Sequence, residues 1–273
     1  MSELVTYDSA AAHSPSLTEL VELFRYRELL SLLVVTIIKT RYKRSTLGAL
    51  WTLLNPLLNM VVMTIAFSSI FRFSITRYPV YVLSGLIFWN FFAQTTTYAM
   101  SAIVWGGSLI KRVYVPRTVF AVATVGNGLV NLGLSLVPLA LIMLALKQPV
   151  TLAVLFVPVA VLLVAMFSLG VALLMSALAV LFVDVVDMYQ IIVQASFFLT
   201  PVMYPQEILP AKFIWYLSFN PLYLLLELFR SPLYLGVLPS FETIVGGTLC
   251  AVGSLLLGWW FFSREADELA YRI

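Results

Sequence analysis

The chain is predicted to be an all-α polytopic membrane protein. Six transmembrane helices are expected, with an N-terminal interfacial amphipathic helix and two short re-entrant helices between spans five and six. Three observations carry this reading. Only 11% of the 273 residues are charged while 62% are hydrophobic, against about 45–50% apolar residues in soluble domains. Mean hydropathy is +1.00. The charges cluster, leaving runs 47–71, 78–110, 118–146, 148–183 and 243–263 without a single Asp, Glu, Lys or Arg. About 20 apolar residues cross a hydrocarbon core of about 30 Å, and each run reaches that length.

The leader, residues 1–46, comes first. Ser16-Leu17-Thr18-Glu19 has the form of a capping box, and Leu17, Leu20, Val21 and Phe24 follow at helical spacing beside Glu22, Arg25 and Arg27. A basic amphipathic helix of this kind lies in the headgroup plane. Its continuation, 29–38, is apolar but too short to cross, and it ends at a basic elbow holding Arg41, Tyr42 and Lys43. A disordered basic arm is the alternative. The first 16 residues lack the basic start and apolar core of a cleavable signal peptide.

The transmembrane domain, 47–262, divides into spans at about 47–71, 79–105, 118–146, 152–181, 187–204 and 241–262, followed by a tail at 263–273. The 36-residue run 148–183 is too short for two spans and a turn, so it reads as one span extending beyond the membrane. An even number of spans puts both termini on one side. If that side is cytoplasmic, the inside segments hold Arg25, Arg27, Lys39, Arg41, Lys43, Arg44, Lys111, Arg112, Arg117, Arg264 and Arg272. The outside holds Arg72, Arg77, Lys147, Lys212 and Arg230. The basic excess therefore places both termini in the cytoplasm. This placement accounts for the net charge of +3 without a nucleic-acid partner.

Residues 204–239 do not form an ordinary loop. Pro205, Pro210, Pro221, Pro232 and Pro239 cut them into pieces such as 211–220 and 222–230, each reaching only about 15 Å. The pieces are too apolar for a solvated loop, so they are expected to dip into the outer leaflet and return, with Glu227 paired to Arg230 one turn on.

The functional readings begin with what is missing. No ionisable residue falls near a span's midpoint, as a proton-driven carrier requires. Neither a phosphate-binding GxxxxGK[ST] loop nor an HExxH pair is present, and one cysteine, Cys250, and one histidine, His13, leave no metal cluster. Any nucleotide hydrolysis must come from another polypeptide. The second span is aromatic: Phe88, Trp89, Phe91 and Phe92, followed by Gln94, Thr95, Thr96, Thr97 and Tyr98. Trp89 lies about 15 Å into the span, deeper than an interfacial belt. Packing between helices is one reading. The other is a pathway wall of Phe88, Trp89, Phe92, Thr95 and Tyr98, whose flat faces and hydroxyls suit sugars better than inorganic ions. The basic connection at 106–117 offers Leu109, Lys111, Arg112, Tyr114 and Arg117 to a partner, or merely anchors the loop inside.

A family resemblance emerges from these motifs. Arg41-Tyr-Lys-Arg-Ser-Thr-Leu-Gly-Ala-Leu-Trp51 through Asn55-Pro56-Leu57, and Tyr81-Val-Leu-Ser-Gly85 with Trp89 and Phe92, resemble the permease subunits of ABC-2 type polysaccharide exporters. So do Leu109-Ile-Lys-Arg-Val-Tyr-Val-Pro-Arg117, Phe198-Leu-Thr-Pro-Val-Met-Tyr-Pro205, and Asn220-Pro-Leu-Tyr223 with Arg230. The resemblance covers about residues 17–262. It implies a homodimer in the cytoplasmic membrane of a bacterium, bound to two ATP-binding subunits that hold ATP and Mg. This chain itself would need no cofactor. The cargo implied is a lipid-linked polysaccharide such as O-antigen, teichoic acid or capsule. The loop 108–117 becomes the coupling segment, and 205–239, with Pro205, Glu227 and Arg230, the re-entrant exit region. Two departures stand out: Val183 precedes Asp184 where the family often has Arg, and Gly106-Gly107 replaces a common Asn. A membrane-embedded glycosyl- or acyltransferase acting on lipid-linked sugars is the alternative. It would need an acidic cluster or a histidine facing outward.

Overall fold

The computed structural model describes residues 25–43, 50–70, 77–105 and 118–272, together with positions 23, 47 and 48. Among these, every regular element is helical. Helix α1 spans Arg27–Tyr42, α2 Leu50–Ile70, α3 Tyr78–Trp105 and α4 Thr118–Ala145. A 3₁₀ turn, Leu152–Phe156, leads into α5, Val157–Leu181, and α6 follows at Val185–Leu199. Two short helices, α7 at Ala211–Phe219 and α8 at Pro221–Arg230, precede a π turn at Ser231–Leu235 and the long α9, Phe241–Arg272.

Among the described residues, four stretches are long and apolar enough to cross a membrane: Leu50–Phe67, Thr118–Ala145, Leu152–Leu181 and Phe241–Arg264. Two expected spans fall short of that standard for different reasons. Helix α3 has 28 residues, about 42 Å, but Asn90, Gln94 and three threonines dilute its hydropathy. Helix α6 has only 15 residues, because it stops at Leu199 rather than continuing to 204. Helix α9 runs 32 residues without a break, through the expected tail. The tail is thus helical to Arg272.

Burial explains the polarity of α3. Val80, Val82, Leu83, Ile87 and Phe88 are almost completely buried, and α3 packs against α2, α4, α5, α6 and α8. The central helix of a bundle meets protein rather than lipid, so polar side chains on it can find partners. The most extensive helix pair is α5 with α9. Gly170 and Gly258 make it possible: a Cβ on Gly170 would strike the backbone of Ser254 and Leu255, and one on Gly258 would strike the backbone of Gly170. Small residues let backbones approach closely where lipid supplies no hydrophobic drive between helices.

Helix α1 lies against α4, with Val34 beside Gly126. The capping box at 16–19 lies outside the described residues. The expected break between α7 and α8 is present and locally determined. The Asn220 side chain accepts from the N–H groups of Leu222 and Tyr223 (3.0 and 3.3 Å), and Pro221 occupies the first turn, where its missing N–H costs nothing.

Candidate functional site: an uncharged polar cleft

Helices α2, α3 and α4 border a cleft that is open to its surroundings, with a volume of about 50 Å³. From α3 come Ile87, Asn90, Phe91, Gln94, Thr95 and Tyr98; from α4, Thr124, Asn127, Gly128, Asn131, Leu132 and Ser135. Both sets follow i, i+3, i+4, i+7, i+8, i+11, a single stripe on each helix. The first turns of α2 add Trp51, Thr52, Asn55 and Pro56. Among the described residues, none that lines the cleft carries a charge.

The cleft's geometry rests on a few contacts. Gly128 lets α4 approach α3, since a Cβ there would collide with the Thr95 hydroxyl and press on the Phe91 ring. On α2, Asn59 donates to the Asn55 side-chain oxygen at 2.7 Å and to its carbonyl at 3.0 Å, fixing that amide's orientation. Thr124 and Ser135 donate back to the carbonyls of Phe120 and Asn131, both at 2.8 Å. Two lining groups have no such outlet. Thr95 Oγ1 and Asn127 Oδ1, on residues only 2% and 4% exposed, make no hydrogen bond among the described residues. Trp51 and Tyr98, each 50% exposed, flank the cleft near the end of the bundle that carries the 106–117 connection.

The structure separates the aromatic residues singled out in the second span. Thr95 and Tyr98 line the cleft. Phe88, Trp89 and Phe92 face away from it and are buried among protein side chains. Trp89 sits edge-on to Phe92 (5.9 Å between centroids) and Phe197 (5.2 Å), Phe92 packs on Phe167 (5.8 Å) and Phe88 on Phe229 (6.5 Å). Within one chain these three rings therefore pack helices together rather than border open space. The amides of α2 and α4 escaped the sequence reading. The signal was there: Thr124, Asn127, Asn131 and Ser135 recur at helical spacing through an otherwise apolar run.

The loop residues Leu109, Lys111, Arg112, Tyr114 and Arg117 lie outside the described residues. Arg41 and Tyr42 end α1, and Lys43 just beyond it is exposed. Pro205 precedes a 3₁₀ turn at Gln206–Ile208.

Arg230 is the surprise of the connection between α6 and α9. It is 2% exposed, with Nη1 donating to the Pro201 carbonyl (2.9 Å) and Nη2 to that of Val202 (2.6 Å). Its guanidinium lies 3.9 Å above the Tyr81 ring, and Glu227 stands at 3.9 Å, the expected pairing. Tyr78 donates to the Met203 carbonyl (2.8 Å) and Tyr81 to that of Tyr204 (2.9 Å). Four successive carbonyls after α6 are thus satisfied by side chains of α3 and α8. Gly85 leaves room for this, because a Cβ there would meet both Arg230 and the Val202 carbonyl.

An ABC-2 type transporter family model matches residues 28–234, from α1 through the π turn. The chain belongs to the ABC-2 type transporter family. Among curated ABC-2 relatives, the O-antigen export system permease protein RfbA of Myxococcus xanthus is 33% identical over 260 residues, covering 92% of this chain and 98% of that protein. A Klebsiella pneumoniae protein of the same name is 28% identical over 221 residues, 79% of this chain and 85% of its own length. The polysialic acid transport protein KpsM of Escherichia coli is 22% identical over 196 residues, 71% and 76% of the two chains. This ABC-2 chain is thus a multi-pass transporter permease, built from apolar helices long enough to cross a bilayer.

Proposed function

We propose that this chain is the membrane-spanning permease of a bacterial exporter that carries a lipid-linked polysaccharide, of the O-antigen kind, across the cytoplasmic membrane. The observation that carries the proposal is the end-to-end likeness to the Myxococcus xanthus O-antigen export permease, which spans 98% of that protein. The cleft supports it. Hydroxyls, amides and aromatic faces with no charge suit a sugar chain and suit an inorganic ion poorly.

In this reading α2, α3, α4, α5, α6 and α9 all cross the membrane, with both termini and residues 106–117 in the cytoplasm. The α7–α8 pair then re-enters the outer leaflet, with α8 backed by α3, α5 and α9, as non-spanning backbone requires. Two copies form the pathway, since a two-fold pair doubles the wall that one chain supplies. Two ABC subunits, which bind ATP and Mg, dock on Lys111, Arg112, Tyr114 and Arg117 and power transport. The elbow at Arg41–Lys43 sits at the inner headgroups.

Deleting the gene in its host and staining surface polysaccharide tests the proposal. Loss of surface polymer, with lipid-linked polymer accumulating inside and restored by the intact gene, is expected. Undiminished surface polymer in the deletion strain rules the proposal out.

A further inference from the structure

We infer that one corner of the outer surface binds a phospholipid: an apolar knuckle sinks among the acyl chains, and Arg77 and Lys147 hold an anionic headgroup above it. The corner lies where α3 and α9 begin and α4 passes into α5. Such a site needs only that the chain spans a bilayer, whatever its cargo. That the leaflet is the outer one follows from the topology proposed above.

Two connections are tied together here. Arg77, just before α3, donates from Nη1 to the Gln148 side chain (2.9 Å), and the buried Gln148 donates in turn to the Tyr234 carbonyl. The Thr151 hydroxyl donates to the Gly236 carbonyl at 2.6 Å. The connection from α4 to α5 is thereby joined to the one that leads into α9. Between them they expose Val150, Leu152, Leu155, Val237, Leu238 and Phe241, with Leu152 85% and Phe241 79% exposed. Large apolar side chains gathered on a surface mark a contact with membrane or with another protein. Membrane fits this one, because the patch continues into the exposed apolar sides of the spans that begin there, at Val159 on α5 and Val245 on α9.

The two cations stand where glycine would fit more easily. Lys147 closes α4 in a Schellman motif, its N–H donating to the Leu144 carbonyl (3.1 Å) while that of Gln148 donates to Met143 (2.8 Å). The residue after the helix is left-handed in this motif and is usually Gly. Lys147 has φ 53° and Arg77 φ 62°, so both left-handed positions carry a long cation instead. Neither makes an ion pair among the described residues. The elements that meet here bring one carboxylate, the exposed Glu242 in the first turn of α9, so cations stay in excess. Lys and Arg lay their stems along apolar surface and reach up to headgroup level, and an anionic headgroup balances the excess charge. A second copy docked through this same patch across a two-fold axis would instead bring like cations together.

The first measurement locates the knuckle, using the full-length protein in nanodiscs of phosphatidylcholine and phosphatidylglycerol. Leu152→Cys and Leu238→Cys, each in a Cys250→Ser background, carry a bimane fluorophore. Quenching by lipid with a nitroxide near the top of its acyl chain, and little quenching by aqueous iodide, is expected at both positions. Strong iodide quenching at both puts the corner in water, and quenching by neither puts it against protein. Either result overturns the inference.

The second measurement tests the headgroup contact by native mass spectrometry of the detergent-solubilised protein titrated with each lipid. Phosphatidylglycerol should bind more tightly than phosphatidylcholine. Lys147→Gly should weaken phosphatidylglycerol binding about fivefold, the effect of one cation beside an anionic lipid surface. Its melting temperature in lipid-free detergent should hold or rise, because Gly suits the left-handed position. Lys147→Asn, which also tolerates that conformation, should behave alike, and Lys147→Arg should keep wild-type binding. Equal affinity of the wild type for the two lipids, or wild-type phosphatidylglycerol affinity in both Lys147→Gly and Lys147→Asn, overturns the inference and leaves Lys147 a helix terminus only.

Discussion

Arg230 is held by backbone oxygens more than by its acidic neighbour. The carbonyl contacts are 2.9 and 2.6 Å, whereas Glu227 stands at 3.9 Å and is partly exposed. Charge-assisted hydrogen bonds of this kind contribute about 1.5–3 kcal/mol each. Arg230→Met should therefore destabilise the protein by roughly 3 kcal/mol in detergent melting experiments. Arg230→Lys should restore only part of that, because an ammonium lacks the planar fork that reaches two carbonyls. Glu227→Gln should cost less than Arg230→Met, because the 3.9 Å contact is beyond hydrogen-bond reach and a Gln still accepts from Ser231. A second prediction concerns Trp89, buried against Phe92 and Phe197. Trp89→Ala should cost about 3–5 kcal/mol, with export falling in parallel, while Trp89→Phe keeps most of both. Lost export with an unchanged melting transition would return Trp89 to the pathway wall. The helix that carries this residue was legible because an apolar run predicts it. Its face was not, because α3 carries large or polar residues all the way round. Partners such as Phe167 and Phe197, far along the chain, decide which way each one turns.

Helix boundaries were readable wherever a local cause sets them. Pro221 with the Asn220 cap splits α7 from α8, and the charge-free runs start α4 at Thr118 and end α5 near Leu181. The α6 terminus was not readable, since Thr200 through Tyr204 leave the helix for tertiary partners on α3 and α8. The pairing of α5 with α9 was equally hidden, because glycines in an apolar run do not announce which backbone they admit. Packing here makes a sharp comparison possible. Gly258→Ala drives a methyl group into the Gly170 backbone, and overpacking of this kind costs about 1–3 kcal/mol or more. Gly253→Ala, with open space around it, should be neutral or stabilise by up to about 1 kcal/mol through helix propensity. Equal melting temperatures for the two variants would show that α5 and α9 do not approach as described.

At the scale of the whole molecule, orientation can be measured directly. With Cys250 replaced by serine, single cysteines at Ser108 and Gln206 should react with an impermeant thiol reagent from opposite faces of the membrane. Reaction of both from one face would overturn the six-span topology. Coupling is tested separately: Lys111→Glu with Arg112→Glu should abolish co-purification of the ATP-binding subunit while leaving membrane insertion intact. Wild-type export from that double variant would reduce the loop to an anchor. The carbonyls of Pro201 to Tyr204 also bear on how the chain is made. Synthesis delivers α3 first, then the end of α6, and only later Arg230. In the interval Tyr78 and Tyr81 are the only one of the two side-chain sets in place, and the Val202 carbonyl waits in or near lipid without its donor. A ribosome-released fragment ending before residue 230 is therefore left with an exposed polar flaw that membrane quality control can recognise. A truncated chain ending just after residue 230 should accordingly outlast one ending just before it in a pulse-chase measurement.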